Sequence, residues 1–255
     1  MNKHSRWFIF HENLLLISKQ ANDCRVPQYT TAPDFITPDC TIHNIQLPSG
    51  ETVKTCAIEQ TISSEQWQMI DLRSSYNLLP LEEYKIAGKA FQILYWDKHS
   101  QYCPQCGTPT EQCMNIMKRC PQCGNEIFPT ISTAIIVLIR KGDEVLLVRG
   151  KNFRGTFYGL VAGFLEVGET LEECVRREVL EETGLYIKNI QYFDSQSWPY
   201  PSGLMVGFIA DYDHGDIKLQ TSELSDGAFF HRNNLPELPQ KLSIARRLID
   251  WWLST

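Results

Sequence analysis

The stretch from Gly163 to Leu185 reads GFLEVGETLEECVRREVLEETGL and places seven glutamates among 23 residues. Thr170, followed three residues later by Glu173, has the spacing of a capping box. A helix is therefore predicted to begin at about Leu171, and Gly184 is placed to end it.

Three of these glutamates point in an unexpected direction. At about 100° per residue, Glu178 and Glu182 project to nearly the same side of the helix, with Glu181 beside them. A solvated acidic face should lie opposite the apolar stripe, yet these residues share the side that carries Cys174 and Val175. Carboxylates crowded against the protein body repel or become protonated unless cations neutralise them. Oxygen ligands suit Mg²⁺ or Mn²⁺, so the helix predicts a divalent-metal site.

Composition limits the possible classes of function. The chain has 255 residues, of which 43% are hydrophobic and 21% charged, which suits one large or two smaller domains with real cores. Its formal net charge of −6 argues against bulk attraction to DNA, RNA or an anionic membrane. No stretch reads as a secretory signal and no apolar run is long enough to span a bilayer. A cytoplasmic protein with no membrane partner is expected.

The cysteines indicate a second metal site. Five of the nine lie between Cys103 and Cys123, and Cys103-Pro-Gln-Cys106 is repeated as Cys120-Pro-Gln-Cys123. Two such pairs present four thiolates to one tetrahedral Zn²⁺, which leaves no open coordination position. One structural zinc ion per chain is therefore predicted, although a zinc ribbon alone is also compatible with nucleic-acid binding. The remaining cysteines are expected to be small buried apolar residues: Cys24, Cys40, Cys56, Cys113 and Cys174.

Three domains are predicted along the chain. Residues 1–97 form a strand-rich domain with a helix near residues 88–96, residues 98–128 form the zinc ribbon, and residues 129–255 form a mixed α/β domain. The predicted elements of the last domain are strands at 131–139, 144–149, 189–194 and 205–212 and helices at 171–183 and 242–252. No internal repeat is visible in the sequence.

The glutamate helix resembles the Nudix box. The matching positions are Gly163, Glu169, Arg177, Glu178, Val179, Glu181, Glu182, Gly184 and Leu185, each at the spacing of the motif. The resemblance implies an α+β chain whose last domain is a Nudix α/β/α sandwich. It also implies a hydrolase for a nucleoside diphosphate linked to another group, with Mg²⁺ or Mn²⁺ as cofactor. Arg177 is expected to hold part of the carboxylate cluster through Glu169.

A stretch downstream narrows the resemblance. Residues 195–202, SQSWPYPS, are similar to the SQPWPFPxS signature of the bacterial NADH pyrophosphatases, with departures at Ser197, Tyr200 and Gly203. Taken alone, this stretch could equally be a rigid aromatic loop. The cysteine pairs, the size of the first domain and the segment 210–217 add to the likeness. The resemblance implies hydrolysis of NAD(H) to AMP and nicotinamide mononucleotide, removal of NAD caps from RNA 5′ ends, and a homodimer, for which the apolar N-terminal segments could supply the interface.

The resemblance also implies the residues of the site. Metal ligands fall on Glu178, Glu182, Glu223 and the carbonyl of Ala162, and Glu181 shares the cluster or orients water, so the implied catalytic residues are Glu178, Glu181 and Glu182. The residues implied to bind substrate are Phe128, Ala162, Phe164, Gln196, Ser197, Trp198, Pro199, Tyr200, Pro201, Ser202, Gly203 and Ala245. Basic residues that could guide RNA, although dispersed solubilising charge is the favoured interpretation, are Lys118, Arg119, Arg149, Lys151 and Arg154.

Two alternative functions stay open. One is a Nudix hydrolase that acts on ADP-ribose or another dinucleotide. The other is a non-catalytic zinc-ribbon regulator that senses a nucleotide, which should have lost glutamates of the box. None of them is missing here, so the enzyme is favoured.

Overall fold

The structure is a computed structural model, and it describes residues 4–19, 23–153 and 155–255. The chain divides into two compact units, Met1–Thr130 with Pro199–Ser202, and Ile131–Trp198 with Gly203–Thr255. Among the described residues, no helix is both long enough and apolar enough to cross a membrane.

The first unit contains a six-stranded sheet and one long helix. The strands follow the order β4-β5-β1-β2-β6, and β3 pairs with β1. Helix α1 spans Leu81–His99, with acidic side chains in its first turn and basic ones in its last, as the helix dipole favours. The strands are β1 (Ser5–His11), β2 (Leu14–Ser18), β3 (Gln28–Tyr29), β4 (His43–Gln46), β5 (Thr52–Ala57) and β6 (Trp67–Asp71).

The apolar N-terminal segments form the core of this unit. Residues 7–10 and 15–17 are at most 1% exposed. Along β1, Trp7 and Ile9 belong to one cluster, while the ring of Phe10 packs 5.4 Å from that of Phe91 on α1. The expectation that these segments supply a dimer interface is therefore wrong, because their side chains are already buried within the chain.

The zinc ribbon is a small antiparallel sheet within the first unit. Its three strands are ordered β7-β8-β9 and carry the two cysteine pairs in the loops around them. They are β7 (Glu111–Met114), β8 (Met117–Arg119) and β9 (Glu126–Ile127).

The second unit is a sheet covered by a helix on each face. Its strands follow the order β13-β14-β10-β11-β15, and β12 pairs with β10. Alternate side chains of a strand point to opposite faces. Thus Ile135 and Val137 of β10 pack with α2, whereas Ile136 and Leu138 pack with α3. The elements are β10 (Ser132–Lys141), β11 (Glu144–Gly150), β12 (Val161–Phe164), α2 (Leu171–Thr183), β13 (Tyr186–Trp198), β14 (Gly203–His214), β15 (Leu224–His231) and α3 (Ile244–Ser254). The predicted α/β/α sandwich is confirmed.

The two large sheets have the same topology. The central strand, β1 in the first sheet and β10 in the second, pairs in parallel with β5 or β14. It pairs antiparallel with β2 and β3 in the first sheet and with β11 and β12 in the second. The outer strands β4 and β6 of the first sheet correspond to β13 and β15 of the second. The correspondence lies in the strand arrangement, which two segments with different side chains both build. Between β3 and β4 the described residues form no helix, whereas α2 lies between β12 and β13. The glutamate helix is thus the element that the first unit lacks.

Candidate active site

Helix α2 begins and ends where its sequence predicts. The backbone N–H of Thr170 donates to the Glu173 carboxylate at 2.7 Å, and the N–H of Glu173 donates to the Thr170 hydroxyl at 3.2 Å. Gly184 ends the helix in the left-handed region, at φ 71°. Val175 and Val179 are fully buried against the sheet. The helix is therefore held by its own caps and by one apolar face.

Glu178 lies directly against the backbone of Gly163. A Cβ built on Gly163 would be 1.9 Å from Cδ of Glu178 and 2.0 and 2.2 Å from its carboxylate oxygens. Only a glycine leaves this volume free. Sequence reasoning identified both positions in the motif but missed this contact, since the two residues lie on different elements.

Arg177 organises the acidic cluster. It donates from Nε and Nη2 to Glu169 at 2.5 and 2.9 Å, and from Nη1 to Glu178 at 2.8 Å and Glu181 at 3.1 Å. Nη2 also donates to the carbonyl of Phe164 at 3.0 Å. The Arg177 guanidinium lowers the pKa of Glu169 to about 2. The predicted pairing of Arg177 with Glu169 is present, and one guanidinium holds three carboxylates in place.

Glu182 is a buried carboxylate without a cationic partner. It is 5% exposed, and among the described residues its carboxylate makes no ion pair or hydrogen bond. Burial and the negative charges of Glu178, Glu223 and Glu181 raise its pKa to about 8. Burial likewise raises the pKa of Glu178, against the opposing effect of Arg177. A site that raises the pKa of neighbouring carboxyls in this way is suited to a cation that restores their charge.

A backbone connection brings Glu223 to the cluster. The N–H groups of Lys218 and Gln220 donate to the carbonyls of Thr183 and Glu182, both at 2.8 Å, at the end of α2. The Glu223 N–H then donates to the Gln220 carbonyl at 3.0 Å. The segment after β14 is thereby tied to the helix, and the Glu223 carboxylate comes close enough to influence both Glu178 and Glu182.

The donor set fits a hard divalent cation. Glu178, Glu182 and Glu223 offer carboxylate oxygens, and Ala162 precedes Gly163 on β12, beside the Glu178 carboxylate. Mg²⁺ and Mn²⁺ prefer such oxygen ligands. Glu181 is more exposed than the others, with its side chain 55% accessible, so it can reach a ligand or water at the surface of the cluster.

The implied substrate residues of the second unit have distinct environments. Phe164 is 66% exposed, so its ring is free to stack. The side chain of Gln196 instead donates to the Leu242 carbonyl at 2.9 Å and accepts from the Ile244 N–H at 2.6 Å. Gln196 therefore caps the start of α3 rather than projecting freely. Ala245 is 6% exposed and shares a core cluster with Ala162.

The residues at the β13–β14 hairpin are divided between the units. Ser197, Trp198 and Gly203 belong to its strands, with Trp198 paired to Gly203. Pro199 to Ser202 form the turn, which belongs to the first unit. There the Ser202 hydroxyl donates to the Thr130 carbonyl at 2.9 Å. Phe128, also of the first unit, is 53% exposed.

The four ribbon cysteines form a compact cluster. Their sulfur atoms lie within 4.8 Å of one another, with Cys103–Cys123 and Cys106–Cys123 both at 3.6 Å and Cys106–Cys120 at 3.4 Å. A tetrahedral zinc ion with bonds of about 2.3 Å would separate its sulfur ligands by about 3.8 Å. The two loops also match in conformation, since the glycine after each pair, Gly107 or Gly124, has φ 75°.

One expectation and one alternative about side chains outside the site are wrong. Cys113 is exposed, as are the other residues of β7. Lys118 is 4% exposed and pairs with Asp97 at 2.6 Å, so it is not available to guide RNA. Arg119 pairs with Glu126, and Arg154 lies outside the described residues.

Family models match almost the whole chain. The NUDIX domain matches residues 129–252, an NADH pyrophosphatase-like rudimentary NUDIX domain matches residues 4–96, and an NADH pyrophosphatase zinc ribbon domain matches residues 98–128. The ribbon match together with the cysteine cluster confirms the structural zinc site. The NUDIX match supports Mg²⁺ or Mn²⁺ as catalytic cofactor. The second model is consistent with the shared sheet topology of the two units.

Curated relatives cover most of the chain. A Chromobacterium violaceum protein named NAD-capped RNA hydrolase NudC is 36% identical over 245 residues, 96% of this chain and 90% of the relative. Proteins of the same name from Pseudomonas aeruginosa and Haemophilus influenzae are 39% and 42% identical, over 83% and 73% of this chain and 77% and 72% of their own lengths. A crystal structure of a NUDIX hydrolase from Nitrosomonas europaea has a TM-score of 0.51 at 22% identity, covering 60% of this chain and 90% of that one, which shows the fold alone. The chain belongs to the Nudix hydrolase family, in the group that joins an NADH pyrophosphatase-like rudimentary NUDIX domain and zinc ribbon to a NUDIX domain.

Proposed function

We propose that this protein hydrolyses the pyrophosphate of NAD(H) to AMP and nicotinamide mononucleotide, and that it removes NAD caps from RNA 5′ ends by the same reaction. The observation that carries the proposal is the carboxylate cluster of Glu178, Glu182 and Glu223. It is supported by a relative named NAD-capped RNA hydrolase that matches 96% of this chain. None of the glutamates of the motif is replaced, which supports an enzyme over a non-catalytic sensor.

The cluster supplies the ligands for the reaction. Glu178, Glu182 and Glu223, with the carbonyl of Ala162, would hold Mg²⁺ or Mn²⁺. When bound, such a cation lowers the pKa of a water molecule and offsets the charge of the pyrophosphate oxygens. Arg177 keeps Glu178 and Glu181 in place before substrate arrives, so little reorganisation is needed.

The chain's own residues position the attack. Glu181, at the exposed side of the cluster, would orient the attacking water and accept its proton. A bond forms between the water oxygen and one phosphorus while the bond from that phosphorus to the bridging oxygen breaks in line, so that AMP and the mononucleotide leave. The exposed ring of Phe164 provides a stacking surface next to the cluster, because the Phe164 carbonyl is bound by Arg177.

We also propose that the protein is a cytoplasmic homodimer. Its nine cysteines form no disulfide bond, which suits a reducing compartment. Exposed apolar side chains occur on the zinc ribbon, where Tyr102, Met114 and Phe128 are each more than half exposed. Such residues favour a contact with a second copy. Sedimentation equilibrium of the zinc-loaded protein would show a mass of twice 29.4 kDa, and a single-chain mass would contradict the dimer.

A competition experiment tests the proposed activity. The purified protein is incubated with Mg²⁺ or Mn²⁺ and equimolar NADH, NAD⁺, ADP-ribose and diadenosine tetraphosphate, and the products are identified by mass. AMP with nicotinamide mononucleotide, oxidised or reduced, is expected to form first. Preferential loss of ADP-ribose would assign a different substrate, and no turnover would favour the sensor. An NAD-capped RNA is the next substrate to test.

A further inference from the structure

Two contacts join helix α1 to the turn Pro199–Ser202. The hydroxyls of Tyr84 and Tyr200 are 2.5 Å apart. A Cβ built on Gly88 would lie 2.9 Å from Cγ of Pro199. The turn carries four of the residues implied to bind substrate, so its position matters to the proposed function, on which this inference rests.

The tyrosine pair is a departure from the family signature. Tyr200 stands where SQPWPFPxS has phenylalanine, so its hydroxyl is an addition. Burial raises the pKa of both phenols, which are therefore neutral at physiological pH. A buried hydroxyl needs a hydrogen-bond partner, and Tyr84, itself 6% exposed, provides it. The pair fixes the turn to α1 at one point.

Gly88 fixes the turn at a second point. It lies in the interior of α1, where glycine is unfavourable compared with alanine. The ring of the buried Pro199 occupies the space that a methyl group at residue 88 would need. A proline ring cannot rotate away as a flexible side chain can, so a larger residue at this position must displace the turn or the helix.

We propose that Tyr84 and Gly88 are positioning residues for the dinucleotide substrate, because they determine where the Pro199–Ser202 turn lies. Neither residue belongs to the carboxylate cluster of Glu178, Glu182 and Glu223. A change at either should therefore weaken substrate binding more than it slows the chemical step.

Gly88→Ala separates positioning from stability. Alanine favours the helical conformation, so α1 should be at least as stable as in the wild type. The added methyl group should nevertheless move the turn, and a displacement on the order of 1 Å is expected to raise the KM for NADH about tenfold. The melting temperature and kcat should change little. These quantities are measured on the zinc-loaded full chain with saturating Mg²⁺.

The tyrosine pair allows a rescue experiment. Tyr84→Phe and Tyr200→Phe each break the hydrogen bond between the two hydroxyls and leave one hydroxyl facing a phenyl ring, so each should raise KM about fivefold. Removing both hydroxyls leaves an apolar pair, and the double variant should return towards the wild-type KM. Tyr76→Phe is the control, because its ring packs edge-on against Tyr84 outside the contact with the turn.

The outcomes separate this inference from the proposed function. If the wild type hydrolyses NADH but Gly88→Ala and the single tyrosine variants keep the wild-type KM, positioning by α1 is contradicted while the activity stands. If the variants lower the apparent kcat in proportion to a loss of folded protein and leave KM unchanged, the contacts are merely structural and the inference is again contradicted. If the wild type does not hydrolyse NADH, both the proposed function and the inference fail.

Discussion

The carboxylate of Glu178 occupies the space where Gly163 would carry a side chain, with Cδ 1.9 Å from the position of that Cβ. The first residue of the sequence motif and a glutamate of its helix are thus in direct contact. Gly163 lies in strand β12 and does not have a positive φ, so its backbone conformation does not require glycine. The glycine is needed because the Glu178 carboxylate approaches its Cα so closely. This contact sets the position of one carboxylate of the cluster.

Gly163→Ala should therefore impair the site without straining the backbone. The new methyl group cannot coexist with the Glu178 carboxylate, so that side chain must move, and kcat/KM for NADH is expected to fall about 100-fold. Steady-state kinetics measure the loss, and circular dichroism checks the fold. In a Glu178→Gln background the same substitution should cost much less, because the two changes affect one interaction. Fully additive losses would contradict the contact.

Arg177→Lys tests whether one guanidinium organises the cluster. Lysine has a compact ammonium and cannot reach Glu169, Glu178, Glu181 and the Phe164 carbonyl together. Loss of this support should weaken Mn²⁺ binding or activity by about 10- to 100-fold, measured by titration and by rate of AMP formation. Arg176→Lys is the matched control, because Arg176 is exposed and, within the described part of the chain, its side chain bonds only to the Glu172 carbonyl. Equal effects of the two substitutions would refute the role of Arg177.

Asp97→Asn tests the buried charge pair that joins α1 to the zinc ribbon. It leaves the Lys118 ammonium, 4% exposed, without its anion, and should lower the free energy of unfolding by about 3 kcal/mol. Urea denaturation measures the change. Glu126→Gln, which breaks the exposed pair with Arg119 on the same ribbon, should cost less than about 1 kcal/mol. If Asp97→Asn lowered the free energy of unfolding no more than Glu126→Gln does, the pair of Asp97 and Lys118 would not be stabilising.

The same pair implies a dependence of stability on pH. Burial opposes ionisation of Asp97, but its interactions with His43, 3.5 Å away, and with Lys118, 2.6 Å away, outweigh burial and lower its pKa below the usual 3.8. Because folding lowers the pKa of Asp97, its ionised carboxylate stabilises the folded state at pH values above 3.8. This stabilisation is lost progressively as the pH falls below 3.8. The difference in unfolding free energy between wild type and Asp97→Asn should therefore shrink in acid. A difference that stays constant from neutral pH to pH 3 would argue against the assignment.

Local features of the site could be predicted from the sequence. Helix α2, its capping box, the direction of Glu178 and Glu182 and the four zinc-binding cysteines depend on spacings of a few residues, which secondary-structure geometry determines. The pairing of Arg177 with Glu169 is of the same kind. These features agree with the structure because the interactions that determine them lie within one element or one loop.

Long-range features could not be predicted in this way. The burial of Lys118 depends on Asp97, which is 21 residues away, and the partner of Tyr200 is 116 residues away. The capping of α3 by Gln196 spans 48 residues. The shared topology of the two sheets also leaves no periodic signal, since strand order is set by packing that different sequences can satisfy.

The rate of AMP formation from NADH by Glu182→Gln, compared with the wild type at saturating Mg²⁺, tests most directly the claim that the carboxylate cluster catalyses hydrolysis. Glutamine has nearly the same shape and suits a buried position without a charge, so the fold should remain and the melting temperature of the metal-free protein should not fall. Turnover should be abolished, because a principal metal ligand is lost. A folded variant with a rate close to that of the wild type would contradict the account.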